Sequence, residues 1–444
     1  MKKIIFISGL MLSGVLYAQD QKNVVLLDTW TDTNIAIAVE GARYSDIWGF
    51  EMKGQNYCAV GSSEGVEILQ VTDDELVFVD REPGAFQGFT VVHRDMKTYK
   101  NYLYVVGDEG TATLQIFDLS YLPDSISKVY DSNALFGICH NIFIDTLNAK
   151  LYACGANNSG MKVLDISNPE VPTLLADFTS LTYIHDCYVM NDTAFLNAGF
   201  DGLHIYDFSG PTPLQLGVLS FYPDQGYNHS GWVSPDKTTY CFTDETEGTK
   251  LKICNLSDLS LIQVNATFAS SEYQNYTPHN VIIYNKLAFV AYYNLGLRIF
   301  DISSSPEKEI AYYDTFTDET AYKQNGAWGV YVFDNTDQIV VSDRQNGVFL
   351  FEFPIDLLES NNTGVITSNT PLIDENSYLI PRDHLDMDEL TFSIADLKGS
   401  LVYKQQSFIN WLHIPLTLSS GVYYFGIYDT DGELIESGKF SKAN

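Results

Sequence analysis

Five of the eight histidines in this chain recur at one phase of a long repeat, and acids accompany several of them. The anchors read Ser45-Asp46-Ile47-Trp48, His93-Arg94-Asp95, His140-Asn141-Ile142, His185-Asp186-Cys187, His229-Ser230-Gly231, His279-Asn280-Val281 and Trp328-Gly329-Val330. Successive steps are 48, 47, 45, 44, 50 and 49 residues. A neutral imidazole offers a lone pair and a carboxylate offers oxygens, so the two together suit zinc, iron, nickel or manganese. The densest pairing is His229 with Asp244 and Glu245, and His185-Asp186 one repeat earlier lies close enough to add to it. These five residues are the candidate ligands for a divalent metal, within a wider ring of His93, His140 and His279. The same residues also fit a plainer role, hydrogen-bonding the backbone of a neighbouring loop and stapling repeat to repeat. No Ser-His-Asp set, Gly-rich phosphate loop or His-Glu-x-x-His is present, so no catalytic residue is assigned.

A repeat of this length belongs to a solenoid or a propeller. Each unit runs through four alternating segments, as in His279 to Tyr284, Lys286 to Ala291, Gly296 to Ser303 and Lys308 to Tyr313. The third segment is the most regular: Leu114-Gln115-Ile116-Phe117-Asp118-Leu119-Ser120 returns as Met161 to Ser167 and Leu203 to Ser209. Period-two alternation with Gly, Pro, Asn and Asp at the breaks reads as strands, four per unit. The seventh unit stops after three strands at Phe353, and Asn23 to Trp30 looks like a fourth strand lacking its first three. Joining them closes a seven-bladed β-propeller over residues 21–357 with no free sheet edge. In that architecture the anchors begin the innermost strands. Loops carrying Asp108-Glu109, Asp201 and Asp244-Glu245 then open on the same face, so imidazoles and carboxylates are expected to converge at one channel mouth.

The remaining chain frames this ring. Lys2-Lys3, the apolar run 4–16 and Ala18-Gln19 read as an export signal over residues 1–18, too short and poorly flanked for a membrane anchor. Net charge is −32, becoming −34 without Lys2 and Lys3, which disfavours nucleic acid as a partner and attracts cations. Six cysteines in an exported chain permit disulfides. Cys139 with Cys154 and Cys241 with Cys254 flank expected hairpins and are the candidate pairs, while Cys58 and Cys187 have no evident partner; the alternative is six buried free thiols. Residues 358–372 form a polar linker, and residues 373–444 read as a small β-sandwich with strands at Leu390 to Ile394, Gly399 to Tyr403, Trp411 to Leu416 and Gly421 to Ile427. The acidic run Asp429-Thr430-Asp431-Gly432 fits a hairpin turn better than a calcium loop. The expected class is all-β: a seven-bladed propeller followed by a small sandwich.

Two resemblances follow from particular residues. Ile394-Ala395-Asp396-Leu397-Lys398-Gly399, Ser420-Gly421-Val422-Tyr423 and the terminal Gly438-Lys439-Phe440-Ser441-Lys442 resemble the C-terminal sorting domain of the Bacteroidetes type IX secretion system, although Ser377-Tyr378-Leu379-Ile380-Pro381 stands where those domains usually carry Pro-Asn-Pro. The Leu-x-Ile-x-Asp-Ile-Ser text resembles the LVIVD repeat. The ordered set Tyr44 to Phe50, Arg94 to Lys97, His140-Asn141, His185-Asp186, His229 to Trp232, Asp244-Glu245, His279-Asn280 and Gly326 to Tyr331 is similar to the choice-of-anchor B family over residues 25–353. The first resemblance implies passage through the periplasm to the cell surface or the medium, with the type IX secretion machinery as a partner. The second implies a propeller carried on a surface-attachment tail. Together they lead to the expectation of an exported binding or scaffold module for a surface protein or glycan. Two rivals are a metal-dependent extracellular hydrolase or lyase at the channel mouth and a structural subunit of an outer-membrane assembly.

Overall fold

The computed structural model describes residues 21–303, 305–317, 323–334 and 336–353, and in the C-terminal part 377–379, 391–396, 401–406, 411–413, 421–428 and 434–442. The leader at 1–18, the linker at 358–372 and the turn at 429–432 lie outside them.

Blade 1 runs from Tyr44–Met52 through Gln55–Ser62 and Gly65–Val71 to Leu76–Pro83, and five further blades repeat this antiparallel order. Their innermost strands are Arg94–Tyr99, Asn141–Asp145, Asp186–Met190, Asn228–Val233 and Val281–Tyr284. Blade 7 takes three strands from the end of the array (Ala327–Val332, Gln338–Asp343, Gly347–Glu352) and its outermost strand, Val25–Trp30, from the N-terminus. The closure expected from the unpaired strand at each end of the array is therefore present. Gln21–Lys22 adds a fifth strand to blade 6 just before it, so the N-terminal segment ties two blades together.

The order of residues explains why blades form and why they pack. Inner strands alternate, so one set of side chains meets the preceding blade and the other the next. Seven apolar cores result, each between neighbours. Phe50, Tyr57 and Ile68 of blade 1 meet Met96, Leu103 and Phe117 of blade 2, and Val340, Val348 and Leu350 of blade 7 meet Tyr44, Ile47 and Val60 of blade 1. The other five follow the same rule. Every blade has a bulge where its third and fourth strands pair, opposite the same point of the Leu-x-Ile-x-Asp text. A bulge there raises the local twist that each blade needs to pack around a common axis. The Asp of that text is a turn device: Asp118, Asp165, Asp207 and Asp301 each accept the N–H two residues on, from Ser120, Ser167, Ser209 and Ser303.

The candidate disulfides are corrected. All six cysteines are free and buried. Cys241 pairs across the hairpin with Ile253 and Cys254 with Tyr240. Being one position out of register, the two thiols point to opposite faces, Cys241 into the core with blade 6 and Cys254 into the core with blade 4. Cys139 and Cys154 are likewise split between cores, and the Cys139 thiol donates instead to the Asn141 and Cys154 carbonyls.

In the C-terminal part, Leu401–Gln406, Thr391–Asp396, Gly421–Tyr428 and Leu434–Lys442 make a four-stranded antiparallel sheet in that order, and Ser377–Leu379 pairs with Trp411–His413. Among the described residues no helix is long and apolar enough to cross a membrane.

Candidate functional site

The first strand of each blade lines the channel with every second residue, which builds two tiers of side chains below the histidines. The pairs are Asp46/Trp48, Asp95/Lys97, Asn141/Phe143, Asp186/Tyr188, Ser230/Trp232, Asn280/Ile282 and Gly329/Tyr331.

At one mouth lie the histidines. His93, His140, His185, His229 and His279 touch in series, with ring centroids 4.3, 4.1, 4.3 and 4.3 Å apart. Trp328 completes the circle at 4.5 Å from His279 and 5.4 Å from His93. Six rings therefore close the channel, and blade 1, with Ser45 at this phase, contributes none. The tryptophan at the seventh anchor is a ring member, which the histidine count alone did not reveal. The ring nitrogens divide into two kinds. His93 Nε2 meets the His140 carbonyl at 2.6 Å and His279 Nδ1 meets the Trp328 carbonyl at 2.6 Å, contacts that place the proton on those nitrogens. His140 Nδ1 donates to Asp108 at 2.8 Å. The Nδ1 atoms of His93, His185 and His229, all buried, have no hydrogen-bond partner.

Burial sets the charge of this ring. It pushes His93 down to about 4, helped by the neighbouring charge of His140, and it holds His185, His229 and His279 well below the usual histidine value. At His140 burial acts in the same direction, but the Asp108 hydrogen bond and charge outweigh it and raise the imidazole. At neutral pH the ring thus presents neutral imidazoles with one charge-stabilised member.

The expected carboxylates separate. Glu245 stands over the ring, its Oε2 3.8 Å from His229 Nε2, while Tyr293 and Gln324 donate to its Oε1 at 2.6 and 3.0 Å. His185, His229 and Glu245 form the one described set of three whose ligand atoms all lie within 4.8 Å of one another. Asp244 is not part of it. Its carboxylate accepts Lys252 Nζ at 2.7 Å, the Tyr222 hydroxyl at 2.8 Å and the Gly226 N–H at 2.7 Å, and both ion-pair partners are fully buried. Consecutive residues on an extended chain point to opposite sides, so Asp244 and Glu245 cannot both face the mouth. Asp186 also departs from the expected set, because it points down into the middle tier. Asp201 contacts none of the ring histidines; its carbonyl accepts from half-buried His204 instead.

That middle tier is a polar chamber of about 50 Å³ around Asp46, Asp95, Asn141, Asp186, Ser230 and Asn280. Lys97 rises into it from the tier below, 2.7 Å from Asp95 and over the Trp48 ring at 4.7 Å. Burial and the charge of Asp95 push Asp46 well up, while at Asp95 the Lys97 charge and the hydrogen bond from Asp46 overcome burial and hold it down. A protonated Asp46 beside an ionised Asp95 and a charged Lys97 is the arrangement these directions describe. Asp186 is raised to about 6 by burial and then by Asp95. Gly329 is required here, since a Cβ would overlap the Asp46 carboxylate.

The lowest tier is aromatic and opens at the opposite mouth. Trp48, Tyr188, Trp232, Tyr284 and Tyr331, with Ile282, Asn285 and Asp334, line a cavity of about 440 Å³. Trp48 packs edge-on to Tyr331 at 5.0 Å and Tyr188 to Trp232 at 4.9 Å. Trp48, Trp232 and Tyr331 lay within the quoted anchor segments, though none was singled out for this tier. The residue two beyond each middle-tier position, read once per repeat, also finds Tyr188 and Ile282, whereas Tyr284 lies outside that rule.

This geometry defines the class: a seven-bladed β-propeller whose channel is closed at one mouth and forms an aromatic funnel at the other. Residues 151–180 and 278–315 match the LVIVD repeat, so blades 3 and 6 carry repeats of that type. None of the curated proteins compared with the sequence matches it. The chain is similar in fold to a solved structure described as "Structure of U3-55K", at TM-score 0.55 and 10% identity over 74% of this chain and 98% of that one. It is similar to another described as "Crystal structure of RRP9 WD40 repeats", at TM-score 0.55 and 10% identity over 76% and 100%. At that identity the likeness concerns fold alone.

Proposed function

We propose that this chain is an exported propeller, delivered to the cell surface or the medium by type IX secretion, and that it binds neutral glycan in the aromatic funnel. The funnel carries the binding reading. Its volume lies in the range of small-molecule sites, and edge-packed aromatic rings with a few polar groups at the rim suit the apolar faces and hydroxyls of a sugar. Asn285 supplies an amide and Asp334 an acceptor for hydroxyl groups. The net charge of −32 disfavours polyanionic glycans, so the ligand class is neutral. The sorting-domain resemblance of the C-terminal residues and the leader-like N-terminus support export, and the choice-of-anchor B resemblance agrees with display at a surface. The polar chamber of about 50 Å³ holds no more than a few water-sized groups, which supports a binding role over a catalytic pocket within the channel.

Titration of the full chain with neutral oligosaccharides of four to six sugars, followed by tryptophan fluorescence, tests the reading. A saturable change that is lost in Trp232→Ala is expected. Absence of saturation with every neutral glycan, or an unchanged response in Trp232→Ala, overturns it.

A further inference from the structure

We infer that the histidine mouth is a divalent transition-metal site in which His185, His229 and Glu245 are the protein ligands. This goes beyond the glycan reading and does not depend on it, since the two sites lie at opposite ends of the channel. Three observations carry it. The ligand atoms are already gathered within 4.8 Å of one another, from two adjacent blades and one return loop. A tetrahedral ion with bonds of about 2.0–2.1 Å needs its ligands about 3.4 Å apart, so closure asks for movements of the order of 1 Å.

Second, nitrogens in this set are buried without partners. His185 Nδ1 and His229 Nδ1 are unpaired in residues 6% and 2% exposed; on His229 this is the ring nitrogen opposite the Nε2 that faces Glu245, so its own orientation is not fixed by a hydrogen bond there. A purely structural ring would satisfy them, as the carbonyl contacts satisfy His93 Nε2 and His279 Nδ1. His93 Nδ1 is also unpaired, but it belongs to no described set of three.

Third, Glu245 is held as a metal ligand commonly is. Tyr293 and Gln324 both occupy Oε1, which leaves Oε2 as the oxygen turned toward His229. Its side chain is 18% exposed and gives an ion a route in from solvent. Two imidazoles and one carboxylate favour zinc, iron(II), cobalt or nickel over calcium or magnesium, which prefer all-oxygen sites. Three protein ligands leave at least one coordination position for water or a further ligand.

Cobalt(II) titration of metal-stripped full-length protein tests the site, because a cobalt ion held by nitrogen and oxygen ligands absorbs visibly. One equivalent should bind with the appearance of d–d bands and a rise in the unfolding temperature. Loss of a supporting contact alone costs roughly 10–100-fold in affinity, so losing a ligand should cost at least as much. His229→Ala is therefore expected to weaken binding at least about a hundredfold and Glu245→Gln at least about tenfold. Glu245→Gln keeps an oxygen for Tyr293 and so remains informative if the histidine variant folds poorly. His204→Ala, at a half-buried histidine outside the ring, and Asp108→Asn at the same mouth should leave affinity within about twofold. The inference is overturned by absence of saturable binding, by binding that survives both His229→Ala and Glu245→Gln, or by equal losses in His204→Ala.

Discussion

Asp244 and Glu245 are adjacent in sequence and opposite in role, and they show what a single side chain decides here. Asp244 and Lys252 are a fully buried ion pair. Removing one partner of such a pair leaves a buried charge uncompensated, at a cost of about 3–5 kcal/mol. Asp244→Ala should lower the unfolding free energy by that amount in urea titrations and leave the cobalt affinity per folded molecule unchanged. Glu245→Gln should do the reverse, with a stability change below about 1 kcal/mol. Asp343, which holds in blade 7 the position of Asp244 in blade 5, offers a pH test. It accepts the N–H groups of Gln345 and Asn346, and burial raises it from 3.8 to about 6. Between those values the folded protein holds a proton that the unfolded chain has released, so this group's contribution to stability falls as pH rises from about 4 to about 6, then levels off. A shift of that size amounts to about 3 kcal/mol. Asp343→Asn should remove this slope from stability measured across that range, and an unchanged slope would assign it to other groups. Of these residues, the five histidines were legible because one repeat phase exposes them. Glu245 was legible only together with Asp244, because spacing cannot tell which of two neighbours faces the channel. Cys241 and Cys254 misled for the same reason: hairpin proximity says nothing of register, and one position of offset puts each thiol in a different core, while Cys139 sits before its strand and Asn141, not Cys139, faces Cys154 across the hairpin.

At the scale of strands and turns, the most visible text is structural. Leu-x-Ile-x-Asp-Ile-Ser stands out because the same turn and the same bulge are built in blade after blade, which makes it a marker of fold rather than of function. The channel-lining residues carry the variety, and their pattern is a two-residue period hidden inside strands that also alternate for core packing. The outermost strand of blade 7 was legible from chain arithmetic, since three strands remained unclosed at one end and one at the other. The two-residue pairing of Gln21–Lys22 with blade 6 was not, being too short to show alternation. It does set the size of the next prediction. Removing residues 21–30 strips Val25–Trp30 from blade 7, takes Val24 out of the blade 6–7 core and loosens blade 6 at its edge. The bared Gly347–Glu352 strand then presents unpaired backbone groups to other molecules. The expected outcome is a drop of about 5–10 °C in the unfolding temperature, with concentration-dependent association seen by light scattering. A truncated protein that melts normally and stays monomeric would contradict this account of closure.

At the scale of the whole molecule, the propeller and the C-terminal residues are either separable or one folding unit. The seven apolar cores run from blade to blade and return from blade 7 to blade 1, and among the described residues none beyond Phe353 belongs to any of them. Among the described residues, the C-terminal four-stranded sheet pairs with no propeller strand, and its buried Phe392, Ile394, Tyr423 and Phe425 come from its own strands. A propeller so closed has what it needs to fold without residues 373–444. Truncation after residue 357 should therefore leave the unfolding temperature of the propeller, its cobalt binding and its glycan response unchanged. Export should behave differently, because sorting-domain resemblance attaches to the removed residues alone. In a host with type IX secretion, the truncated chain is expected to gather in the periplasm as folded protein, while the full chain reaches the surface or the medium. Cell fractionation with protease accessibility on intact cells reads the two apart. If the truncated chain still reaches the surface, the C-terminal residues are not the address; if it fails to fold, they belong to the propeller and the division of the chain drawn here is wrong.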